Sequence, residues 1–203
     1  MLRVGEFIAH WPIKFPEFAD TTPWRVADFL PPWLANAVGE DGVWVDPTAR
    51  IEAGAVIKGP CWIGPGCFVA ATAYLRGGVW LERDCIVGPG SELKSSMMFA
   101  QSKLAHLNFI GDSLIGTDVN IEAGAIIANY RNEMQDKQIR IRYGKQVLEC
   151  NVEKFGALVG DGARLGANAV IAPGALIKPG EQISRLSLVD QHPGKSDGRQ
   201  EQK

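Results

Sequence analysis

The sequence lacks both a strong net charge and a long hydrophobic run. Its 203 residues carry 21 Lys and Arg against 23 Asp and Glu, a formal net charge of −2. Because nucleic acids and anionic membranes attract basic surfaces, this balance favours neither as a partner. No apolar run approaches the roughly 18 residues that cross a bilayer. The first residues contain an acid and no sustained apolar stretch, so we expect a cytoplasmic protein without a signal peptide.

What the sequence has instead is an aliphatic residue at every sixth position. The series is Val45, Ile51, Ile57, Ile63, Val69, Leu75, Leu81, Val87 and Leu93. A helix repeats near 3.6 residues and an exposed strand near 2, so a period of six fits neither. Six residues make one short strand and a turn. Three such units close a triangular coil, whose strands pair in parallel with those of the next coil.

A small residue follows most of these aliphatic residues by four positions, and Gly-Pro or Pro-Gly pairs mark several turns. This phasing resembles the hexapeptide-repeat family, whose fold is a left-handed parallel β-helix. The resemblance implies an all-β, single-stranded left-handed parallel β-helix, which we place at residues 43–189. The polar residues 190–203 predict a disordered tail.

Residues 1–42 do not show the period. Thr22-Pro23 and the apolar residues that follow predict a short helix with proline in its first turn, ended by Pro31-Pro32. Repeat proteins need caps on their open ends. We therefore expect this N-terminal arm and its short helix to cover the open end of the coil.

Two segments interrupt the repeat. After Phe99 the aliphatic series changes phase and resumes at Phe109, so we expect residues 99–108 to leave the coil as a loop. The second interruption spans 131–156, where alternation around 139–142 predicts a β-hairpin. Because loops that leave a regular scaffold often carry function, the first interruption is the expected position of a site.

Three of the four cysteines, Cys61, Cys67 and Cys85, occupy the small position of the repeat. Cys67 and Cys85 are eighteen residues apart and should lie in register on adjacent coils, where parallel side chains give poor disulfide geometry. We expect these cysteines to be buried as small hydrophobic side chains.

A column of basic residues is predicted on the surface, because residues eighteen apart should stack. Lys58, Arg76 and Lys94 have this spacing. Like charges about 5 Å apart repel, so the column favours a bound anion such as a phosphate. The alternative is that the three side chains spread into water.

His106 lies in the first interruption and could act as a base near neutral pH. A single histidine of this kind can equally be an ordinary surface residue. A zinc-dependent carbonic anhydrase of the γ type would need three histidines in the coils. Only His106 is there, so we reject that class and expect no metal.

A more specific resemblance is carried by Ser102–Asp112, by 119–124 and by Ala128-Asn129-Tyr130. These segments resemble the acetyltransferase domain of the bifunctional enzymes that make UDP-N-acetylglucosamine, over about residues 45–185. The hairpin and the segment 154–157 are more similar to archaeal-type sugar-phosphate nucleotidyltransferases with a β-helical tail domain. The resemblance implies an N-acetyltransferase that moves acetyl from acetyl-CoA to an amino-sugar phosphate such as glucosamine-1-phosphate. It also implies a homotrimer with acetyl-CoA between subunits.

Carried over by position, the resemblance implies the role of each candidate residue. His106 matches the catalytic base and Asn120 joins it in the catalytic set. The expected substrate-binding residues are Arg76, Lys94, Phe109, Asn129 and Tyr130. Ala157 and Ala175 are the expected contacts of the acetyl-CoA thioester and pantetheine.

Three departures from the family pattern qualify this assignment. Phe109 replaces a tyrosine that contacts the sugar, and Arg131-Asn132 replaces an acidic-glycine pair. No Gly-rich nucleotide-binding segment precedes the repeat, so we expect no nucleotidyltransferase domain. The alternative is a non-catalytic β-helix subunit, or a protein that binds a sugar phosphate or nucleotide without turnover.

Overall fold

The computed structural model describes residues 2–194. In it, short parallel strands stack coil upon coil, which confirms the predicted parallel β-helix. The strands are β1 (Val43–Val45), β2 (Arg50–Ile51), β3 (Val56–Ile57), β4 (Cys61–Ile63), β5 (Phe68–Val69), β6 (Tyr74–Leu81), β7 (Ile86–Val87), β8 (Glu92–Met98), β9 (Lys103–Leu104), β10 (Phe109–Gly111), β11 (Leu114–Ile115), β12 (Asn120–Ile121), β13 (Ile126–Ile127), β14 (Arg140–Tyr143), β15 (Gln146–Glu149), β16 (Ala157–Val159), β17 (Arg164–Leu165), β18 (Val170–Ile171), β19 (Ala175–Ile177), β20 (Gln182–Ile183) and β21 (Leu188–Val189).

The strands form three columns, which are the three faces of the coil. The open face consists of β3, the first halves of β6 and β8, and β10, β13, β18 and β21. The covered face consists of β1, β4, the second halves of β6 and β8, and β11, β16 and β19. The third face is the sheet β2-β5-β7-β9-β12-β17-β20.

The inward side chains fill the coil with aliphatic residues that are fully buried. Cys61, Cys67 and Cys85 lie among them as free thiols, as predicted. Burial disfavours the thiolate and raises the pKa of Cys61 to about 12. These cysteines therefore act as small core residues.

The loop predicted at residues 99–108 is wrong. Lys103 and Leu104 form strand β9 on the third face, and Leu104 is buried in the core. The change of phase comes instead from a shorter corner. Val79 pairs with Ser96 rather than Met97, because the β6–β8 register shifts after Arg76. The core position of the next coil consequently falls on Ile110, and Phe109 points outward and is only partly buried.

The predicted hairpin is confirmed as the antiparallel pair β14–β15. Its two-residue turn, Gly144-Lys145, has Gly144 at φ 59°, a conformation that suits glycine. Ile139 and Ile141 are buried against the end of the covered face. A Cβ atom on Gly174 would lie 2.8 Å from Ile139, so glycine allows the hairpin to pack this closely.

The N-terminal arm contains helices α1 (Trp11–Lys14) and α2 (Val26–Val38) and the 3₁₀ turns Val4–Glu6, Pro16–Phe18 and Pro23–Arg25. Two predictions about it are wrong. Helix α2 continues through Pro31 and Pro32, and it packs on strands β4, β6 and β8 of the covered face rather than over the end of the coil.

Packing explains why the prolines do not end helix α2. Proline removes a helical hydrogen bond and usually kinks or breaks a helix interior. Here the helix buries Leu30 and Leu34 completely. Pro31 lies against Gly78, where a Cβ atom would approach the proline ring to 3.0 Å. The burial of this helix face offsets the missing hydrogen bonds.

The start of the predicted tail is packed against the coil. Asp190 and His192 are buried, and Asp190 Oδ1 lies 2.8 Å from Arg131 Nη2. Residues 195–203 of the predicted tail lie outside the described part of the chain. Among residues 2–194, no helix is long and apolar enough to cross a membrane.

Candidate functional site

The predicted basic column is present at the corner where the open face meets the covered face. Arg76 pairs in register with Lys94, and Lys94 with Gly111 on the next coil. Further down the column, Lys58 Nζ and Arg76 Cζ lie 5.3 and 5.7 Å from the ring centroid of Tyr74.

Carboxylates offset the charges of this column. Arg76 Nη2 lies 2.6 Å from Glu92 Oε1, and Lys94 Nζ lies 2.6 Å from Asp112 Oδ1. The repulsion that favoured a bound anion is thus relieved within the chain. The side chains of Arg76 and Lys94 remain 36% and 20% exposed, so both keep surface for a ligand.

Asp112 is the centre of this corner. Its side chain is fully buried and accepts hydrogen bonds from Lys94 Nζ and from Asn129 Nδ2. A Cβ atom on Gly111 would lie 2.7 Å from the Asn129 side chain, so only glycine leaves room for this arrangement. Asp112 therefore fixes Lys94 and Asn129 relative to each other. We refer to Arg76, Lys94, Asp112 and Asn129 as the Asp112 corner.

His106 lies at a different corner, between β9 of the third face and β10 of the open face. It is exposed, and its carbonyl accepts a 2.9 Å hydrogen bond from the amide of Gly124. Leu107, beside it, has φ 54° and is 70% exposed. The imidazole thus stands free at a sharp turn, one face away from the Asp112 corner.

Asn120 is on the third face, where it pairs with Lys103 and Arg164 on the neighbouring coils. It lines a shallow cleft of about 310 Å³ together with Glu122, Arg164 and Arg185. Both oxygens of Glu122 accept 2.8 Å hydrogen bonds from Arg185, which holds the pKa of that carboxyl below its usual range. The cleft is therefore lined by two arginines and lies on the His106 side of the coil.

Phe109 and Tyr130 are placed differently from each other. Phe109 is partly buried on the open face, between Glu92 and Ile126 in register. Tyr130 forms a bridge with Lys154 at the base of the hairpin insertion, and its ring centroid is 5.4 Å from Lys137 Nζ. Only Phe109 lies between the two corners.

Ala157 and Ala175 are not available to a cofactor. They pair in register on the covered face, point into the core and are fully buried. Their amides already donate, Ala157 to Ser113 Oγ and Ala175 to the Gly156 carbonyl. We therefore leave both residues out of the site.

Sequence reasoning missed Glu92 and Asp112, the carboxylates of the site. The signal was present for Asp112, because it follows Lys94 by eighteen residues, the spacing used for the basic column. In the described residues, no cluster of three His, Cys, Asp or Glu side chains could hold a metal ion.

Residues 60–95 match the family described as bacterial transferase hexapeptide (six repeats), which confirms the repeat. The chain is 36% identical over 86 residues to a bifunctional sugar-1-phosphate nucleotidylyltransferase/acetyltransferase of Sulfurisphaera tokodaii, covering 42% of this chain and 21% of the relative. It is 35% identical over 103 residues to the bifunctional protein GlmU of Methanococcus vannielii, covering 51% of this chain and 24% of the relative. The matches thus span less than a quarter of either relative.

A solved structure of a putative acetyltransferase from Bacillus cereus is similar over 76% of each chain. Its sequence identity is 17% and its TM-score is 0.42. The similarity that bears on function is therefore that of the two curated sequences.

Proposed function

We propose that this chain, which carries the hexapeptide repeat of bacterial transferases, is an acyl-CoA-dependent N-acyltransferase. The acceptor would be the amine of an amino-sugar phosphate such as glucosamine-1-phosphate, and the donor acetyl-CoA. The observation that carries the proposal is the Asp112 corner, where a buried carboxylate fixes Lys94 and Asn129 beside Arg76. Similarity to the bifunctional sugar-1-phosphate nucleotidylyltransferase/acetyltransferase of Sulfurisphaera tokodaii supports it.

The corner suits the phosphate of the acceptor. Arg76 offers a planar guanidinium and Lys94 a point charge, the two ways in which proteins bind phosphate. Their carboxylate partners hold the side chains in place, and both retain exposed surface. Asn129 then provides a polar group to the sugar.

His106 is separated from the Asp112 corner by the width of the open face. Strand β10, Phe109–Gly111, crosses the open face between the two corners. At about 3.3 Å per residue, the corners are separated by about 10 Å. In glucosamine-1-phosphate only four bonds separate the phosphorus from the amine nitrogen, so the long side chains of Arg76 and Lys94 would have to hold the phosphate toward the middle of this face for the amine to lie near His106.

The corner at His106 also adjoins the third face, where the cleft beside Asn120 is lined by Arg164 and Arg185. Both arginines are paired with carboxylates, Arg164 with Asp118 and Arg185 with Glu122, but their side chains stay 43% and 71% exposed and keep surface for the phosphates of an acyl-CoA. The base would then lie between the acceptor on one face and the thioester on the other.

In the proposed reaction His106 accepts a proton from the amine of the acceptor. The nitrogen attacks the thioester carbonyl, so a C–N bond forms and the C–S bond breaks. The proton passes from the imidazolium to the departing thiolate, which leaves as CoA with a free thiol. The Asp112 corner contributes by fixing the acceptor in an attack geometry.

A homotrimer is part of the proposal. The outward row of the open face includes Val56, Ile126, Val170 and Leu188, which are 38–49% exposed. Ile126, Val170 and Leu188 are consecutive in this row, and contiguous apolar side chains of this kind favour an interface. A neighbouring subunit against this row would close the acceptor site from solvent.

The test is CoA release from acetyl-CoA with purified protein and a panel of amino-sugar phosphates. We expect turnover with glucosamine-1-phosphate that His106→Ala lowers by about 10²–10⁴-fold. His10→Ala, at an exposed histidine of the arm, is the matched control and should leave the rate unchanged. Full activity in His106→Ala would show that His106 is not the base of the reaction.

The second candidate is a protein that binds a sugar phosphate or nucleotide without turnover. The pairing of Arg76 with Glu92 and the absence of a hydroxyl on Phe109 favour it, because both weaken acceptor recognition. Binding of glucosamine-1-phosphate without CoA release, for any acyl-CoA, would support this reading.

A further inference from the structure

A second cavity lies apart from the Asp112 corner and from the cleft beside Asn120. It has a volume of about 450 Å³ and lies at the last coils, between the hairpin, the edge of the open face and the N-terminal arm. We call it the hairpin pocket, lined by Phe7, Arg142, Tyr143, Leu176, Lys178 and Leu188 among others. It shares no lining residue with the cleft beside Asn120.

The floor of the hairpin pocket is apolar. Phe7 and Leu176 are almost fully buried and form its inner wall, and Leu188 is half exposed at the rim. Tyr143, 37% exposed, adds an aromatic ring from the hairpin. A flat ring or an apolar body would therefore find surface on several sides.

The rim of the pocket is positively charged. Arg142 and Lys178 are both exposed, one on the hairpin and one after strand β19. The acidic residue of the lining, Asp190, is buried and engaged by both terminal nitrogens of Arg131, at 2.8 and 3.3 Å. The cations that remain for a ligand are Lys178 and Arg142, although Arg142 Nη2 also donates a hydrogen bond to the Pro193 carbonyl.

The walls are fixed before any ligand binds. The amide of Arg142 donates a 2.8 Å hydrogen bond to the Gln191 carbonyl, which ties the hairpin to the last coil. The Gln191 side chain bonds both the amide and the carbonyl of Leu176, at 2.8 and 3.1 Å. Because the pocket is preformed, a ligand would not have to order it.

We propose that the hairpin pocket binds a free nucleoside 5′-phosphate, at a site separate from the donor cleft. The aromatic base would stack on Tyr143 above the apolar floor, and the phosphates would bind Arg142 and Lys178. A plain sugar phosphate fits less well, because the Gln191 amide that could bind its hydroxyls is already engaged. This inference does not depend on acyl transfer.

The test is calorimetric titration of the full chain with UDP, ADP, inorganic phosphate, octyl phosphate and 3′,5′-ADP. The last probe is the nucleotide end of CoA. We expect UDP or ADP to bind at least tenfold more tightly than inorganic phosphate or octyl phosphate. Equal affinities for UDP, ADP, inorganic phosphate and octyl phosphate would overturn the proposal, because the protein would then not recognise the base.

Variants locate the binding. Lys178→Gln removes a cation whose side chain is exposed, so the fold should be unaffected, and we expect it to weaken UDP or ADP binding about tenfold. Tyr143→Ala should weaken nucleotide binding but not phosphate binding. Lys145→Gln, on the same hairpin but outside the pocket, is the charge-matched control and should change nothing.

Two results would overturn the proposal. One is nucleotide binding that Lys178→Gln and Lys145→Gln affect equally, which would indicate a nonspecific charge effect. The other is UDP binding that Arg185→Gln, in the cleft beside Asn120, weakens and Lys178→Gln does not, which would place the nucleotide in the proposed donor cleft. Because 3′,5′-ADP is itself a nucleoside 5′-phosphate, its binding to the hairpin pocket would agree with the proposal.

Discussion

The covered and open faces are built from the same repeat but have opposite surroundings. On the covered face the outward row in register is Trp44, Trp62, Trp80, Met97, Leu114, Leu158 and Leu176. On the open face it is Val56, Tyr74, Glu92, Phe109, Ile126, Val170 and Leu188. The N-terminal arm buries most of the first row and leaves the second exposed. Burial on this coil therefore depends on what lies against a face rather than on the repeat.

The aromatic cluster under the arm should give the largest effect. Phe15 is almost fully buried, with ring centroids 5.2 Å from both Trp33 and Trp80. We expect Phe15→Ala to lower the free energy of unfolding by about 3–5 kcal/mol. Val170→Ala, on the open face, should cost less than about 1 kcal/mol in the isolated subunit. Urea unfolding monitored by Trp fluorescence measures both, and equal losses would show that the arm does not stabilise the covered face.

The open face should instead control assembly. Ile126→Asp places a charge in its outward row, which is 38% exposed at this residue, and should dissociate the proposed trimer without unfolding the subunit. Light scattering coupled to size exclusion measures this. Val147→Asp, on the hairpin at 48% exposure, is the control. A trimer that survives Ile126→Asp would place the interface elsewhere.

The corner between the two faces should control acceptor binding. Arg76→Gln removes the guanidinium but leaves the half-exposed Glu92, so stability should change little. We expect the KM for the amino-sugar phosphate to rise about 10–100-fold with a smaller change in kcat. Arg50→Gln, which breaks the Arg50–Glu52 pair on the third face, is the matched control. An unchanged KM in Arg76→Gln would contradict the phosphate site.

The smallest effect should come from the contact between arm and coil. Gly78 has φ 93°, and a Cβ atom there would crowd Pro31; Gly180 has φ 68° with open space around it. Replacing either glycine by alanine should lower the free energy of unfolding by about 1 kcal/mol, because φ is positive at both positions. Gly78→Ala should cost about 1 kcal/mol more, because helix α2 must shift. Thermal unfolding of the pair measures the difference, and equal values would show that the helix adapts freely.

The period of six was sufficient to predict the coil, its core and its free cysteines, because inward positions of a solenoid must be apolar and small in turn. It could not predict that Ile110 rather than Phe109 points inward. Both side chains are large and apolar. A corner that is one residue shorter shifts the inward positions by one residue, and the shifted positions are still apolar. The hairpin was predictable because its alternation is local.

The path of helix α2 and the charge balance of the site were not predictable in the same way. Pro31-Pro32 is a strong local stop signal, and tertiary packing overrides it, through the burial of Leu30 and Leu34 and the contact of Pro31 with Gly78. The Lys94–Asp112 spacing of eighteen was visible in the sequence, but it does not show that the two side chains meet. In the shortened coil Lys94 pairs in register with Gly111, and its side chain reaches the next residue, Asp112.

The arm also limits how copies of the chain can associate. A prism with three similar apolar faces could add neighbours in three directions and spread into an open lattice. Because the chain's own arm occupies one face, copies could contact one another only through the two remaining faces. Contacts that repeat around one axis close into a ring. In the proposed assembly, the N-terminal arm would therefore leave fewer faces of the coil for contacts between copies, in addition to its contribution to stability.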